Sequence, residues 1–312
     1  NHNLSFSGGT DNVTYLFGGS YLNQDGMAAG SGMERYSLRA NIDAKLKKWL
    51  KAGVDMNFSN LNQKLTVSDE SLIKIAWKQT PDVAVKNADG TYDGPQTTEY
   101  VQTNPLALAM IKENYKEYSE IRANTYFDAT IFKGLTYRPE FSFSYGFNNT
   151  YKFTPTYTFG AIENTVNSSE RSKSYSKFWS FRNILTYNNT FAGLHNINIM
   201  LGQEAQQSSW EYLYAYRSGF ISNSTHDISM GDVNTAKNSG SSGYHSMSSQ
   251  FGRLFYSYDD KYLLTTTLRH DGSSNFAEGH QWGWFPSAAL AWKVSRENFL
   301  MDNKTIYNLK LR

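Results

Sequence analysis

Taken at every second residue, this chain separates into two unlike series. Tyr36, Leu38, Ala40, Ile42, Ala44 and Leu46 are apolar or aromatic, and the interleaved Arg35, Ser37, Arg39, Asn41, Asp43 and Lys45 are polar. The pattern returns in Leu50, Ala52, Val54, Met56 and Phe58, in Leu135, Tyr137, Phe141, Phe143, Tyr145 and Phe147, and in Ile197, Ile199 and Leu201. Near the end, Trp282, Trp284, Ala288, Leu290, Trp292 and Val294 share a face. Alternation with period two predicts strands with one apolar and one wet face. A soluble antiparallel sheet with one face on a core alternates in the same way. Two features favour a membrane barrel instead. Several stripes outrun the about 5–6 residues of an ordinary globular strand. Aromatic residues also stand at the stripe ends (Tyr36, Trp49, Tyr137, Tyr187, Trp282, Trp292), as in a lipid-facing band edged by aromatic girdles.

The connections between stripes alternate in length. Short links are expected at Gly8–Asn12, Lys47–Lys48, Lys133–Gly134, Ala192–Leu194 and Asp259–Asp260. Long ones are expected at Asn23–Glu34, Leu61–Ser119, Thr154–Ser172, Ser218–Ser246 and Asp271–Gln281. Outer-membrane barrels sort their connections this way, with short periplasmic turns and long extracellular loops. The longest, residues 61–119, reads as an extracellular insertion with two short helices. One follows Ser68-Asp69-Glu70 as a cap, and the other covers about Leu106 to Asn114 with Pro105 at its first position. Asn87–Gly90 reads as a turn. The fold class is therefore all-β, with about eleven strands and the start of another at Ile306–Arg312. Because the sequence stops in that strand, it is expected to be a piece of a larger barrel, since an open edge in lipid leaves backbone groups unpaired.

Composition changes this picture little. Tyr and Phe are frequent (22 and 19 of 312 residues), which suits pleated, half-buried surfaces. A net charge of +2 with no basic run gives no support for nucleic-acid binding. No cysteine is present, so disulfides and thiolate metal sites are excluded. The apolar runs are too short for a transmembrane helix, and the low mean hydropathy of -0.57 is compatible with a barrel that hides its apolar face in alternate residues.

Signs of catalysis are scarce. The sequence lacks G-x-S-x-G, H-E-x-x-H, a P-loop and G-x-G-x-x-G. His270, Asp271 and Ser273 supply triad letters, but adjacent strand residues point to opposite faces, so a relay is not expected. Asp89 and Asp93 beside Gly90 and Gly94 hint at calcium without enough ligands. No enzyme activity, cofactor or metal is expected.

Four ordered segments resemble the SusC/RagA family of TonB-dependent outer-membrane transporters of Bacteroidetes. They are Asn3–Thr10 with YLFGGSYLNQDG from Tyr15, RANIDAKLKKWLKAGVDMNFS within Arg35–Asn60, and LTYNNTFAGLHNINIMLGQE from Leu185 to Glu204. The fourth runs from Phe251-Gly252-Arg253 through LRHDGSSNFAEGHQWGWFPS to Trp292, Glu297 and the terminal LKLR. The resemblance implies a partial transmembrane barrel, eleven to twelve of about 22 strands around a plugged lumen. It implies import of oligosaccharides or peptides across the outer membrane, a SusD-like surface lipoprotein as lid, and energy from a TonB–ExbB–ExbD complex. No plug domain or TonB box is found in this sequence, so energy coupling is expected to reside outside it. Under this reading Arg39, Asp43, Arg138, Glu140 and Arg182 line the lumen, paired with one another or with the plug. Trp210, Tyr212, Tyr214 and Tyr216 alternate at the rim. They could stack on sugar rings, but a place in the aromatic girdle is the simpler expectation, and no substrate-binding residue is assigned. A passive porin or adhesin barrel and a soluble carbohydrate-binding β-sandwich are the alternatives.

Overall fold

The computed structural model describes residues 1–65, 69–97, 99, 103–301 and 305–312. Twelve strands form one antiparallel sheet in which each strand pairs with its neighbour in sequence, apart from one small hairpin set aside. The strands are β1 (His2–Gly9), β2 (Val13–Asp25), β3 (Gly32–Lys47), β4 (Leu50–Lys64), β5 (Glu113–Phe132) and β6 (Leu135–Thr154). The hairpin β7 (Tyr157–Phe159) and β8 (Ile162–Asn164) follows, and the sheet resumes with β9 (Ser168–Phe191), β10 (His195–Ser218), β11 (Lys237–Tyr258), β12 (Tyr262–Ser273), β13 (Trp282–Lys293) and β14 (Lys310–Leu311). The sheet does not close: β1 and β14 each have one partner, so the molecule is an arc of a barrel.

The register places the apolar stripes on one face. Ile42 pairs with Tyr15 and Val54, Leu38 with Gly19 and Phe58, Phe143 with Ala123 and Trp179, and Leu201 with Leu185 and Gly252. Most of these side chains remain exposed (Leu38 61%, Leu201 55%, Leu290 72%), which water would not tolerate across a whole wall but lipid requires. The buried hydrophobic residues lie elsewhere, mainly in the long connections. The proteinaceous core is therefore a set of small clusters above the wall, while the wall itself uses the bilayer as its apolar neighbour.

Aromatic rings edge the band on both sides. Near the short turns, His195, Tyr258, Tyr262 and Trp292 follow one another at 5.0, 6.3 and 6.3 Å between ring centres. On the far side His270 stacks on Trp282 at 4.7 Å and on Trp284 at 4.1 Å. Tyr187 and Trp179, or Trp292 and Trp282, stand eight to ten positions apart on their strands. At about 3.4 Å per residue and a tilt of about 40°, that separation spans roughly 21–26 Å of membrane normal, the height of an apolar barrel band.

The long connections are shorter than the sequence pattern predicts. The β4–β5 connection covers residues 65–112 rather than 61–119, and the β10–β11 connection covers 219–236 rather than 218–246. The reason is that β5, β6, β9, β10 and β11 run 20–24 residues, about twice what a bilayer crossing needs. Their upper halves stand in water and lose the alternation that marks the lower halves. The terminal strand is likewise shorter than Ile306–Arg312, being formed by Lys310 and Leu311 alone. Among the described residues no helix is long and apolar enough to cross a membrane.

Candidate transport lumen and mouth

The face opposite the apolar band is polar along its length. A single register row carries Asp43, Gly53, Tyr126, Glu140, Arg182, Glu204, Ser249 and Asp271 across eight strands. Asp128, Arg138 and Arg269 lie on the same face one row toward the short turns. Antiparallel pairing thus brings residues distant in sequence into one charged belt at mid-height.

The belt is internally paired. Arg182 donates to Glu204 at 3.1 Å and lies 3.8 Å from Glu140. Arg138 donates through Nε to Asp128 at 2.5 Å and lies over the Tyr126 ring at 4.5 Å. Arg269 donates to Asp271 at 2.7 Å and to Ser249 Oγ at 2.9 Å. The Tyr126 hydroxyl donates to Asp43. Gly53 leaves room for that bond: a methyl group there would meet the Tyr126 ring and come within 2.6 Å of Asp43 Oδ1. Two of the five expected lumen charges have neutral partners: Asp43 has the Tyr126 hydroxyl, and Arg39 donates through Nε to Asn41 at 2.8 Å. A depression of about 670 Å³ opens there, lined by Arg39 together with Ser5, Gly18, Ser20, Ser37, Leu38, Phe58, Glu120 and Arg122. A polar inner face of this kind holds water, while its ion pairs limit the fixed charge it presents.

The four rim aromatics overturn the girdle expectation. Trp210, Tyr212, Tyr214 and Tyr216 have the parity of Glu204 and pair with Ser176, Ser174, Ser172 and Glu170, so they face inward. The signal was available in the sequence. Counting from Leu201 on the lipid face, with no bulge between, puts residue 210 on the opposite face.

The mouth is built by connections that pack on one another. The first helix, α1 (Asp69–Lys78), and the second, α2 (Pro105–Ile111), bring Leu72, Leu108 and Ala109 together with Ala28, Ile75 and Tyr157. The expected Ser68 cap lies outside the described residues. The second helix ends before Asn114, which already belongs to β5. Its N-cap is Asn104, 3% exposed, whose Oδ1 accepts from the Ala107 amide at 3.0 Å. The same side chain donates to the Val85 and Asp93 carbonyls, tying the helix to the preceding loop. Outside this cluster runs an apolar groove of about 280 Å³, lined by Met27, Ala28, Leu72, Ile73 and Leu106. Met27 and Trp77 stand exposed nearby, at 104% and 88%.

A second packed connection closes over the outer wall. Phe153 of β6 is 2% exposed beneath Phe220 and His226, with ring centres at 5.9 and 4.4 Å. Asn167 accepts from the Phe220 amide at 2.7 Å and donates to its carbonyl at 3.2 Å. His226 donates through Nε2 to Asn223 O at 2.8 Å, and Arg171 donates to His226 O at 3.3 Å.

The catalytic and metal letters do not assemble. His270 lies on the lipid face between Trp282 and Trp284, whereas Asp271 lies inside on Arg269. Asp89 accepts from the Thr91 hydroxyl and amide, at 2.6 and 2.9 Å, and these bonds hold its carboxyl below the usual carboxylate range. Asp93 accepts from the Gly94 amide at 2.8 Å. Among the described residues no group of three acidic or imidazole side chains is placed to hold a metal ion.

An open antiparallel wall with a lipid-facing band, two girdles, sorted connections and a polar inner face defines an outer-membrane β-barrel segment, which removes the soluble sandwich. No family model matches the chain. TonB-dependent receptor P3 of Formosa agariphila is 33% identical over the whole chain, which spans 32% of that protein. TonB-dependent receptor P39 of the same organism is 30% identical over 99% of the chain and is covered over 30% of its length. TonB-dependent receptor SusC of Bacteroides thetaiotaomicron is 39% identical over 38% of the chain, or 12% of SusC. The chain thus spans about a third of the length of the Formosa relatives. In fold it superposes on the RagAB peptide importer in the open-open state with a TM-score of 0.82 at 20% identity, over 96% of the chain and 34% of the solved one. The chain is a segment of a SusC/RagA-type TonB-dependent transporter barrel of the outer membrane.

Proposed function

We propose that this barrel segment forms one wall of an importer that takes up oligosaccharides or peptides by TonB-driven transport. The observation that carries the reading is the inner face: a mid-height belt of paired charges under a tall polar wall, a path for hydrated cargo rather than for lipid. A SusD-like lipoprotein closes over the long-loop end, where Met27, Ile73 and Trp77 offer exposed apolar contact beside the α1–α2 groove. Cargo is caught between lid and loops, the lid shuts, and pull from the TonB–ExbB–ExbD complex opens the lumen. On this reading the protein moves its cargo and does no covalent chemistry on it.

The test is uptake of labelled oligosaccharides and peptides by cells with the gene, without it, and with the gene but without TonB. Import lost in both deletions supports the reading. Uptake that survives loss of TonB indicates a passive pore, and uptake of every cargo unchanged by gene deletion refutes import.

A further inference from the structure

The inner wall above the membrane band carries a feature that the transport reading leaves unassigned. Trp210, Tyr212 and Tyr214 stand in line on β10, facing inward. The strands on either side offer only small residues opposite them: Ser176, Ser174 and Ser172 on β9, and Gly243, Ser241 and Ser239 on β11. Gly243 is small because the indole lies over it; a methyl group there would sit 3.1 Å from three atoms of the ring. Trp210 thus lies close over Gly243 while the residue stays 48% exposed. Tyr212 is 36% exposed. The next ring, Tyr216, is different, because Lys237 lies over it at 5.1 Å and closes the line. The only charge facing this end from β9, Glu170, is taken by Lys152 at 3.7 Å.

We propose that Trp210, Tyr212 and Tyr214 form a stacking track for an oligosaccharide chain at the extracellular mouth, a reading that rests on the import function proposed above and specifies its cargo. Rings at every second residue repeat at about 6.8 Å, and three strands give a trough about 10 Å wide, room for a short run of pyranose units. A pyranose presents an apolar C–H face, which an exposed aromatic ring covers, and a rim of hydroxyls. The serines on both flanks supply donors and acceptors for that rim without imposing a charge. Peptide capture would instead call on a pairing strand edge, which β10 with a neighbour on each side does not offer, or on a free charge for a terminus, and the charges at the Tyr216 end are engaged, Glu170 by Lys152 and Lys237 by the Tyr216 ring.

The experiment uses the full-length transporter in detergent and isothermal titration with maltohexaose, cellohexaose, xylohexaose, hexagalacturonate and a neutral decapeptide. At least one hexasaccharide is expected to bind. Trp210→Ala and Tyr212→Ala should each weaken it about tenfold, equivalent to about 1.4 kcal/mol, with Trp210→Phe losing much less. Trp179→Ala, on the lipid face, should leave affinity unchanged, and equal thermal midpoints establish that the variants fold. Unchanged affinity in both β10 variants, binding of none of the hexasaccharides, or loss confined to the decapeptide would overturn the track. The two readings fail separately. A glycan imported in a TonB-dependent way but bound equally by Trp210→Ala removes the track and leaves import. A glycan bound through Trp210 but taken up without TonB removes active import and leaves the track.

Discussion

Phe153→Ala should release the β10–β11 connection without unfolding the barrel. Phe153 is the buried residue on which that connection rests, covered by Phe220, itself 6% exposed, and by His226. Truncating a fully buried Phe costs about 3–5 kcal/mol. The lower figure applies here, since the connection keeps the bonds of Phe220 to Asn167 and the paired bonds of Asn223 with Thr156 at 2.9 and 3.0 Å. Because Phe153 lies near the top of β6, far above the lipid band, the loss falls on local opening of residues 219–236. About 3 kcal/mol is roughly two decades in that opening equilibrium, and amide exchange reads local opening directly. Hydrogen exchange of the full-length protein in detergent should therefore show Gly219 and Phe220, whose amides bond to Asn167, exchanging roughly a hundredfold faster. Amides in the lower halves of β9 and β10 should not change. Phe153→Leu should show a smaller effect, since it keeps much of the volume. Unchanged protection at Gly219 and Phe220 would refute the claim that Phe153 anchors this connection. Equal acceleration in the lower strands would refute the claim that the anchor is local.

Three further outcomes follow from the two faces and the turns. Leu201 and Met200 are adjacent but point to lipid and lumen, so Leu201→Arg should cost about 2–4 kcal/mol in folding into vesicles while Met200→Arg costs little; equal costs would contradict the face assignment. Arg182→Ala leaves Glu140 and Glu204 facing each other without their cation. Because that guanidinium is 36% exposed, the loss should be about 0.5–1 kcal/mol in urea unfolding, and a loss above about 3 kcal/mol would show a desolvated network instead. At the β11–β12 turn, Lys293 donates to Asp260 at 2.6 Å and, with Arg296 beside it, holds that carboxyl below the usual carboxylate range. A depressed carboxyl contributes stability above the ordinary carboxylate range and loses it as pH falls through the lowered value. The stability gap between wild type and Asp260→Asn should thus be full at neutral pH and close in strong acid, and a gap independent of pH would refute the pairing.

How much of this was legible in sequence follows the solvent. Where β3, β4 and the lower halves of β6 and β10 cross lipid, one face must be apolar and the other wet, so alternation in Tyr36–Leu46 or Ile197–Leu201 reports the strand directly. The short turns are legible for a similar reason. Gly134 takes φ +92° between β5 and β6, and Asp259 and Asp260 take φ near +50°, conformations that favour Gly, Asn and Asp. Above the membrane both faces meet water, and the constraint disappears. Lys237–Ser246 is strand, yet KNSGSSGYHS reads as loop because nothing requires either of its faces to be apolar. The lumen belt stands between these cases. Parity assigns Arg39, Asp43, Arg138, Glu140 and Arg182 to one face, but their partners depend on the exact register across each short turn, as Arg138 with Asp128 over the β5–β6 turn and Arg182 with Glu204 over the β9–β10 turn.

The same physics accounts for the misplaced aromatics. Tyr and Trp at strand ends suit a membrane girdle, and residue type alone suggests one. Parity decides otherwise at Trp210, while at Trp179, Trp282 and Trp292 it agrees with the girdle. A ring that turns inward above the band has no lipid interface to occupy, so the girdle cannot explain why β10 carries four of them in succession. Packing explains only the last, under Lys237, and the close seat of the first over Gly243. The exposed faces that remain point into the lumen, and on the import proposed above the inner face above the membrane is the place to look for specificity.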